Sequence, residues 1–197
     1  MTNRNVLVIC PHTDDELGCC GLLLKLIAQG SYINYRAIST CDSDILVSEC
    51  RSATTILGLT DIRLHTLPVH RFPENRQKIL ELFLSLNKSG YDLVIIPSSY
   101  DTNQDHATVY QEAFRAFKHT SVIGYEQPQN MMEFRNPMFV KITEEQLNTK
   151  IRAIKEYKSQ AYRPYMAEDY IRGLARVRGV QCNSMYAESY EVIRWII

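Results

Sequence analysis

Residues 6–21 read Val-Leu-Val-Ile-Cys-Pro-His-Thr-Asp-Asp-Glu-Leu-Gly-Cys-Cys-Gly, and this stretch constrains the fold more than any other. Val6 to Cys10 is apolar, rich in β-branched residues and uninterrupted, which reads as a strand buried on both faces, as inside a parallel sheet. Pro11 ends it, and Leu17 to Ile27 then carries apolar residues at helical spacing. His12, Asp14, Asp15 and Glu16 therefore fall in the turn from the carboxyl end of a strand to the start of a helix. That is where open α/β sheets bind ligands. Two adjacent carboxylates repel one another unless a cation or a proton accompanies them. Acids in a first helical turn are favoured by the macrodipole, which accounts for Glu16 as a helix-start acid. It does not account for a histidine and two acids at the end of a buried strand.

The same alternation runs along most of the chain. Strands are expected at 32–40, 62–69, 91–97 and 121–125, with helices between them at 45–57, 73–88 and 105–118. Ser43 can cap the second helix and Gly58 can close it. This pattern predicts an α/β sandwich with a mainly parallel sheet, of order 3-2-1-4-5, flanked by helices. Pro68 makes the third strand less suited to a central place. Beyond Glu126 a polar loop over 127–137 leads to a short strand at 139–142, helices at 143–160 and 167–178, and a closing strand at 188–197. With no internal repeat or linker, one domain over 1–197 is expected.

Composition narrows the function classes. Lys and Arg total 22 and so do Asp and Glu, so no basic excess points to a nucleic-acid partner. No apolar stretch reaches the roughly 20 residues that cross a bilayer, and Met1 to Asn5 leads into a strand rather than a signal-peptide core. A cytoplasmic protein is expected, with no membrane partner. The six cysteines form no C-x-x-C pair and read as buried, reduced thiols rather than disulfides or a zinc cluster. A homo-oligomer is compatible with the sequence, which does not specify one.

The fourth strand also ends at a proline, Pro97, and is also followed by a polar turn, Ser98 to His106. In the order 3-2-1-4-5, strands 1 and 4 are neighbours whose following helices diverge and open a crevice. The two turns then face each other and bring His106 beside His12 and Asp15. Three such ligands with a fourth position left to water form the arrangement of a catalytic zinc. A carboxylate that does not bind the metal is then placed to accept a proton from that water. Asp15 is assigned as the ligand and Asp14 as the base. His65, His70 and His119 lack metal spacing and read as surface or turn residues, and Cys19-Cys20 reads as core.

Pro11-His-Thr-Asp-Asp-Glu16 followed by Gly18-Cys-Cys-Gly21 resembles the opening motif of the LmbE-like, or PIG-L, family of zinc-dependent N-acetylglucosaminyl deacetylases. The resemblance continues at Glu49-Cys-Arg-Ser-Ala53, at Asp101-Thr-Asn-Gln-Asp-His106, at Gly124-Tyr-Glu126, at Lys150, at Tyr157-Lys-Ser-Gln160 and at Tyr186-Ala-Glu188. It implies a Rossmann-like fold, zinc held by His12, Asp15 and His106, Asp14 as general base, and hydrolysis of an acetamide on an amino-sugar conjugate. It also implies that Glu49, Tyr125, Glu126 and Glu188 line the substrate site. Arg51 and Arg135 are candidates for a phosphate or carboxylate on the substrate. Many members of the family carry a histidine where this chain has Asn103, and an arginine where it has Leu46. An asparagine amide donates a hydrogen bond to an oxyanion but delivers no proton. Two other readings stand beside the hydrolase: a metal-binding protein without turnover, and a magnesium-dependent phospho-receiver. The third strand ends without an acceptor aspartate, which counts against the receiver.

Overall fold

The computed structural model describes residues 3–135 and 137–197. Met1 and Thr2, part of the stretch read as leading into the first strand, and Asn136, in the expected polar loop, lie outside the described residues. The chain runs β1 (Asn5–Cys10), α1 (Cys20–Ala28), β2 (Tyr32–Ala37), α2 (Asp44–Ile56), β3 (Asp61–Leu64), α3 (Arg76–Asn87) and β4 (Leu93–Pro97). It continues through α4 (Gln104–Ala116), β5 (Ser121–Tyr125), β6 (Met138–Ile142), α5 (Glu144–Ile154), α6 (Glu168–Gln181) and β7 (Tyr186–Arg194).

The sheet has the order β3-β2-β1-β4-β5-β7-β6. Its first five strands are parallel in the order expected, with Val6 registered against Ile33 on one side and Leu93 on the other. The expected order stops at the fifth strand, and the sheet goes on. β7 returns antiparallel beside β5 and separates it from β6. β1 alternates between two cores: Val6, Val8 and Cys10 pack with Leu23, Leu26 and Ile151 on one face. Leu7 and Ile9 pack with Ile79, Phe83 and Val109 on the other. Both faces of the central strand are thus covered, as its unbroken apolar run requires.

Boundaries shift where tertiary contacts override local pattern. The third strand stops at Leu64, and the segment carrying Pro68 leaves the sheet, since proline cannot donate to a ladder. Thr143 and Gln146 form a full capping box at the start of α5, a signal that lies one residue past the two glutamates. α5 ends at Ile154 rather than near Gln160, because Tyr157 turns inward to bury its ring completely. All six cysteines are free thiols, four of them buried. Among the described residues no helix is long and apolar enough to cross a membrane.

Candidate active site

After β1 the chain makes a short 3-10 turn, Asp15–Gly18, before α1 begins. The tight turn brings the His12 backbone N–H onto Asp15 Oδ2 at 2.8 Å. β4 lies beside β1, so the start of α4 delivers His106 to the same point. His12 Nδ1 is 3.4 Å and His106 Nε2 is 3.3 Å from Asp15 Oδ2, and the two ring nitrogens are 3.3 Å apart. His12, Asp15 and His106 offer one ligand atom each within 4.8 Å of one another, a candidate metal site.

The far side of each imidazole is held by a carboxylate. His12 Nε2 donates to Asp105 Oδ2 at 3.1 Å, and His106 Nδ1 donates to Asp101 Oδ2 at 2.7 Å. Those bonds set the tautomers and leave Nδ1 of His12 and Nε2 of His106 as electron-pair donors. Gln127 Nε2 donates to Asp15 Oδ1 at 2.8 Å and turns Oδ2 towards the histidines. Three lone pairs consequently face one another, which is stable only around a cation or shared protons. With protons alone, burial opposes charge on His12, yet its hydrogen bonds to Asp105 and Asp15 push it up to about 10. Burial likewise opposes ionisation of Asp15, but His106 and His12 hold it down to about 2. Asp14 is pushed up to about 6, first by burial and then by the neighbouring Asp15 charge.

These groups form the floor of a cleft of about 380 Å³, with Asp14, Asn103, His70, Gln160, Arg163 and Tyr165 around it. Asn103 is the N-cap of α4: its Oδ1 accepts from the Asp105 backbone N–H at 2.9 Å, which leaves the amide Nδ2 as its donor. His70 has a left-handed φ of +64°. That conformation is held by its own N–H on Asp105 Oδ2 at 2.7 Å and by Gln104 Nε2 on its carbonyl oxygen at 2.6 Å.

Five of the expected site residues, His12, Asp14, Asp15, Asn103 and His106, line one cleft. Glu49, Arg51, Tyr125, Glu126 and Glu188 stand outside its lining. Glu49 accepts from Ser159, and the exposed Arg51 faces a separate surface groove beside Ser43 and Thr66. The Tyr125 ring is buried against Gly18. Glu126 pairs with Arg178 and accepts from Ser189. Glu188 accepts from the backbone of Gly21 and Leu22, from Tyr190 and from half-buried Lys150, tying β7 to α1. Both acids border a cavity of about 50 Å³ next to the cleft.

Glu16 does not cap the helix. Its carboxyl is buried and accepts from Tyr35 OH at 2.9 Å and from Tyr157 OH. Sequence reasoning gave no role to Asp101, Asp105, Gln127, Arg163 or Tyr165. Only the two aspartates carried a signal, lying five residues and one residue before His106.

A family model described as PIG-L, GlcNAc-PI de-N-acetylase, matches residues 7–117, more than half of the chain. A search of curated proteins finds no match. Among solved structures the chain is similar to a conserved protein of Thermus thermophilus, with TM-score 0.83 and 22% identity over 98% of this chain and 96% of that one. It is similar to the N,N'-diacetylchitobiose deacetylase of Pyrococcus horikoshii, with TM-score 0.80 and 20% identity over 96% and 84% of the two chains. It is also similar to GalB, the 4-carboxy-2-hydroxymuconate hydratase of Pseudomonas putida, with TM-score 0.79 and 19% identity over 98% of both. At these identities the likeness is one of fold, which serves more than one chemistry. The family match covers both polar turns, and with it the chain belongs to the PIG-L, or LmbE-like, family of hydrolytic de-N-acetylases.

Proposed function

We propose that this chain is a zinc-dependent hydrolase that removes the N-acetyl group from an N-acetylglucosamine-type conjugate, acting as one domain over 1–197. The observation that carries the reading is the convergence of His12 Nδ1, Asp15 Oδ2 and His106 Nε2, 3.3 to 3.4 Å apart, on the floor of an open cleft. A tetrahedral shell with bonds of about 2.0–2.1 Å spaces its ligands by roughly 3.3–3.4 Å, and two imidazoles with one carboxylate are donors that suit zinc. When bound there, zinc supplies Lewis acidity, lowering the pKa of a coordinated water and polarising the amide carbonyl.

The remaining chemistry belongs to side chains. Asp14 lies beside the triad without joining it, and its pKa of about 6 lets it accept a proton from the attacking water near neutral pH. The protonated carboxyl then returns that proton to the amine nitrogen as the C–N bond breaks. Asn103 Nδ2 donates to the oxyanion that develops on the carbonyl oxygen. The free thiols support a reducing, cytoplasmic location.

Asn103 also motivates a second reading, a metal-binding protein without turnover, because its amide cannot replace a histidine as a proton donor. Acetate release from a panel of N-acetylglucosamine conjugates separates the two. The hydrolase reading expects release by the zinc-loaded protein and a fall of roughly 10²- to 10⁴-fold in Asp14→Asn with metal retained. Stoichiometric zinc with no release from any conjugate would favour the second reading, and undiminished turnover in Asp14→Asn would remove Asp14 as the base.

A further inference from the structure

A second cavity adjoins the cleft floored by His12, Asp15 and His106, and Gln127, Gln129 and Tyr165 line both. The joining wall is close to the chemistry. Gln127 Nε2 donates to Asp15 Oδ1 at 2.8 Å, and Gln129 Nε2 donates to Gln127 Oε1 at 2.5 Å. Beyond that wall the cavity is mainly apolar: Leu17 comes from the turn after β1, Ile154 from α5, and Ile171, Leu174 and Ala175 from α6.

The charges bordering this cavity are paired with one another. Half-buried Lys150 donates to Glu188 Oε1 at 2.8 Å. Arg178 donates to Glu126 from Nε at 3.0 Å and from Nη2, and its Nη1 donates to Gln181 Oε1 at 2.9 Å. A charged occupant would compete with those pairs, whereas a neutral one leaves them intact. Tyr170 also lines the cavity and stands among the charges of Glu126, Lys150 and Arg178. Its hydroxyl is buried without a hydrogen-bond partner among the described residues. A buried donor is destabilising until an acceptor reaches it, so the occupant that suits this cavity brings an oxygen.

The cavity measures about 50 Å³. At roughly 10–15 Å³ for each water-sized group, that is room for about three to five non-hydrogen atoms. We propose that it receives the acyl end of the substrate, and that the preferred acyl group is a short, neutral, oxygen-bearing chain of the 3-hydroxybutanoyl kind rather than acetyl. Such a chain exceeds acetyl by two carbons and one oxygen, which matches the room available. The apolar walls take the carbons, Tyr170 OH donates to the oxygen, and the polar cleft keeps the sugar. Hydrolysis is unchanged in form: the oxygen of water joins the carbonyl carbon, the C–N bond breaks, one proton goes to the nitrogen, and a free amine and a hydroxy acid leave. The proposal rests on the hydrolase reading for the bond cleaved and adds the acyl group.

Calorimetry on the zinc-loaded Asp14→Asn protein tests the cavity apart from turnover, with methyl glucosaminides bearing N-acetyl, N-butanoyl and N-(3-hydroxybutanoyl) groups as probes. The butanoyl probe should bind roughly 10-fold more tightly than the acetyl one, through two further buried methylene groups. The hydroxybutanoyl probe should gain about 3- to 10-fold more. Ala175→Leu, which fills the cavity, should bring all three probes to equal affinity, and Tyr170→Phe should erase only the gain from the hydroxyl. The proposal is overturned by equal binding of the three probes, by absence of binding, by a hydroxybutanoyl probe no tighter than the butanoyl one, or by gains that survive these substitutions. Chain-dependent binding that is lost in Ala175→Leu, with no amine released from any probe by the wild type, supports the cavity's role while removing the hydrolase reading. Amine release from the acetyl probe together with equal binding of all three does the reverse.

Discussion

Glu16 offers a measurement that needs no substrate. The residue is 1% exposed, and burial pushes its carboxyl up to about 8 despite the hydrogen bonds from Tyr157 and Tyr35. In the unfolded chain the same group titrates near its ordinary 4.5. Below that pH both states hold the proton, and Glu16's stabilising contribution is fully present. As pH rises towards 8 the unfolded chain releases the proton while the folded chain keeps it, so stability is lost. The slope is about 1.4 kcal/mol per pH unit, which amounts to roughly 3–4 kcal/mol between pH 5 and pH 8. Glutamine has the same shape and no proton to release. Urea unfolding of metal-free wild type and Glu16→Gln across pH 5 to 9 therefore isolates this group, because the other titrations cancel in the difference. The stability of the variant relative to wild type should climb by that amount from pH 5 to pH 8. Parallel curves would refute the claim that a neutral carboxyl is buried beneath the turn after β1.

Other perturbations read separate parts of the structure. Asp105→Ala removes the acceptor of His12 Nε2 and of the His70 and Phe72 backbone N–H groups. It should weaken zinc binding by about 10- to 100-fold in competition with a chelator. Gly21→Ala places a Cβ 2.7 Å from Ile142 Cγ2 and 2.9 Å from Glu188 Cδ, an overpacking that should cost about 1–3 kcal/mol in urea unfolding.

What was legible in the sequence follows from how local its cause is. The run Val6 to Cys10 could only be a strand covered on both faces, and its proline stop, matched by Pro97, placed two polar turns at the same end of the sheet. Neighbouring strands 1 and 4 then bring His12, Asp15 and His106 together. The insertion of β7 between β5 and β6 was not legible, since two antiparallel strands carry no local mark of which joins the edge first. Glu16 read as a helix-start acid and Glu188 as a substrate-site acid because the groups that satisfy them, Tyr35, Tyr157 and Lys150, lie far away in sequence. Arg163 was hidden for a related reason. The helical pattern reads through residue 160, whereas burial of Tyr157 ends the helix early and turns residues 158–166 into the wall of the cleft.

The turn over residues 12–18 supplies most of the site. One segment carries two candidate metal donors, an adjacent carboxylate and the buried Glu16, and α4 adds the third candidate donor with the asparagine beside it. The central claim is that these donors hold one zinc ion. Anomalous diffraction above and below the zinc edge, on crystals of the protein purified without chelator, tests it most directly. A single peak is expected about 2.0–2.2 Å from His12 Nδ1, Asp15 Oδ2 and His106 Nε2. A zinc-replete crystal with no peak between those three atoms, or with its peak elsewhere, would contradict the claim.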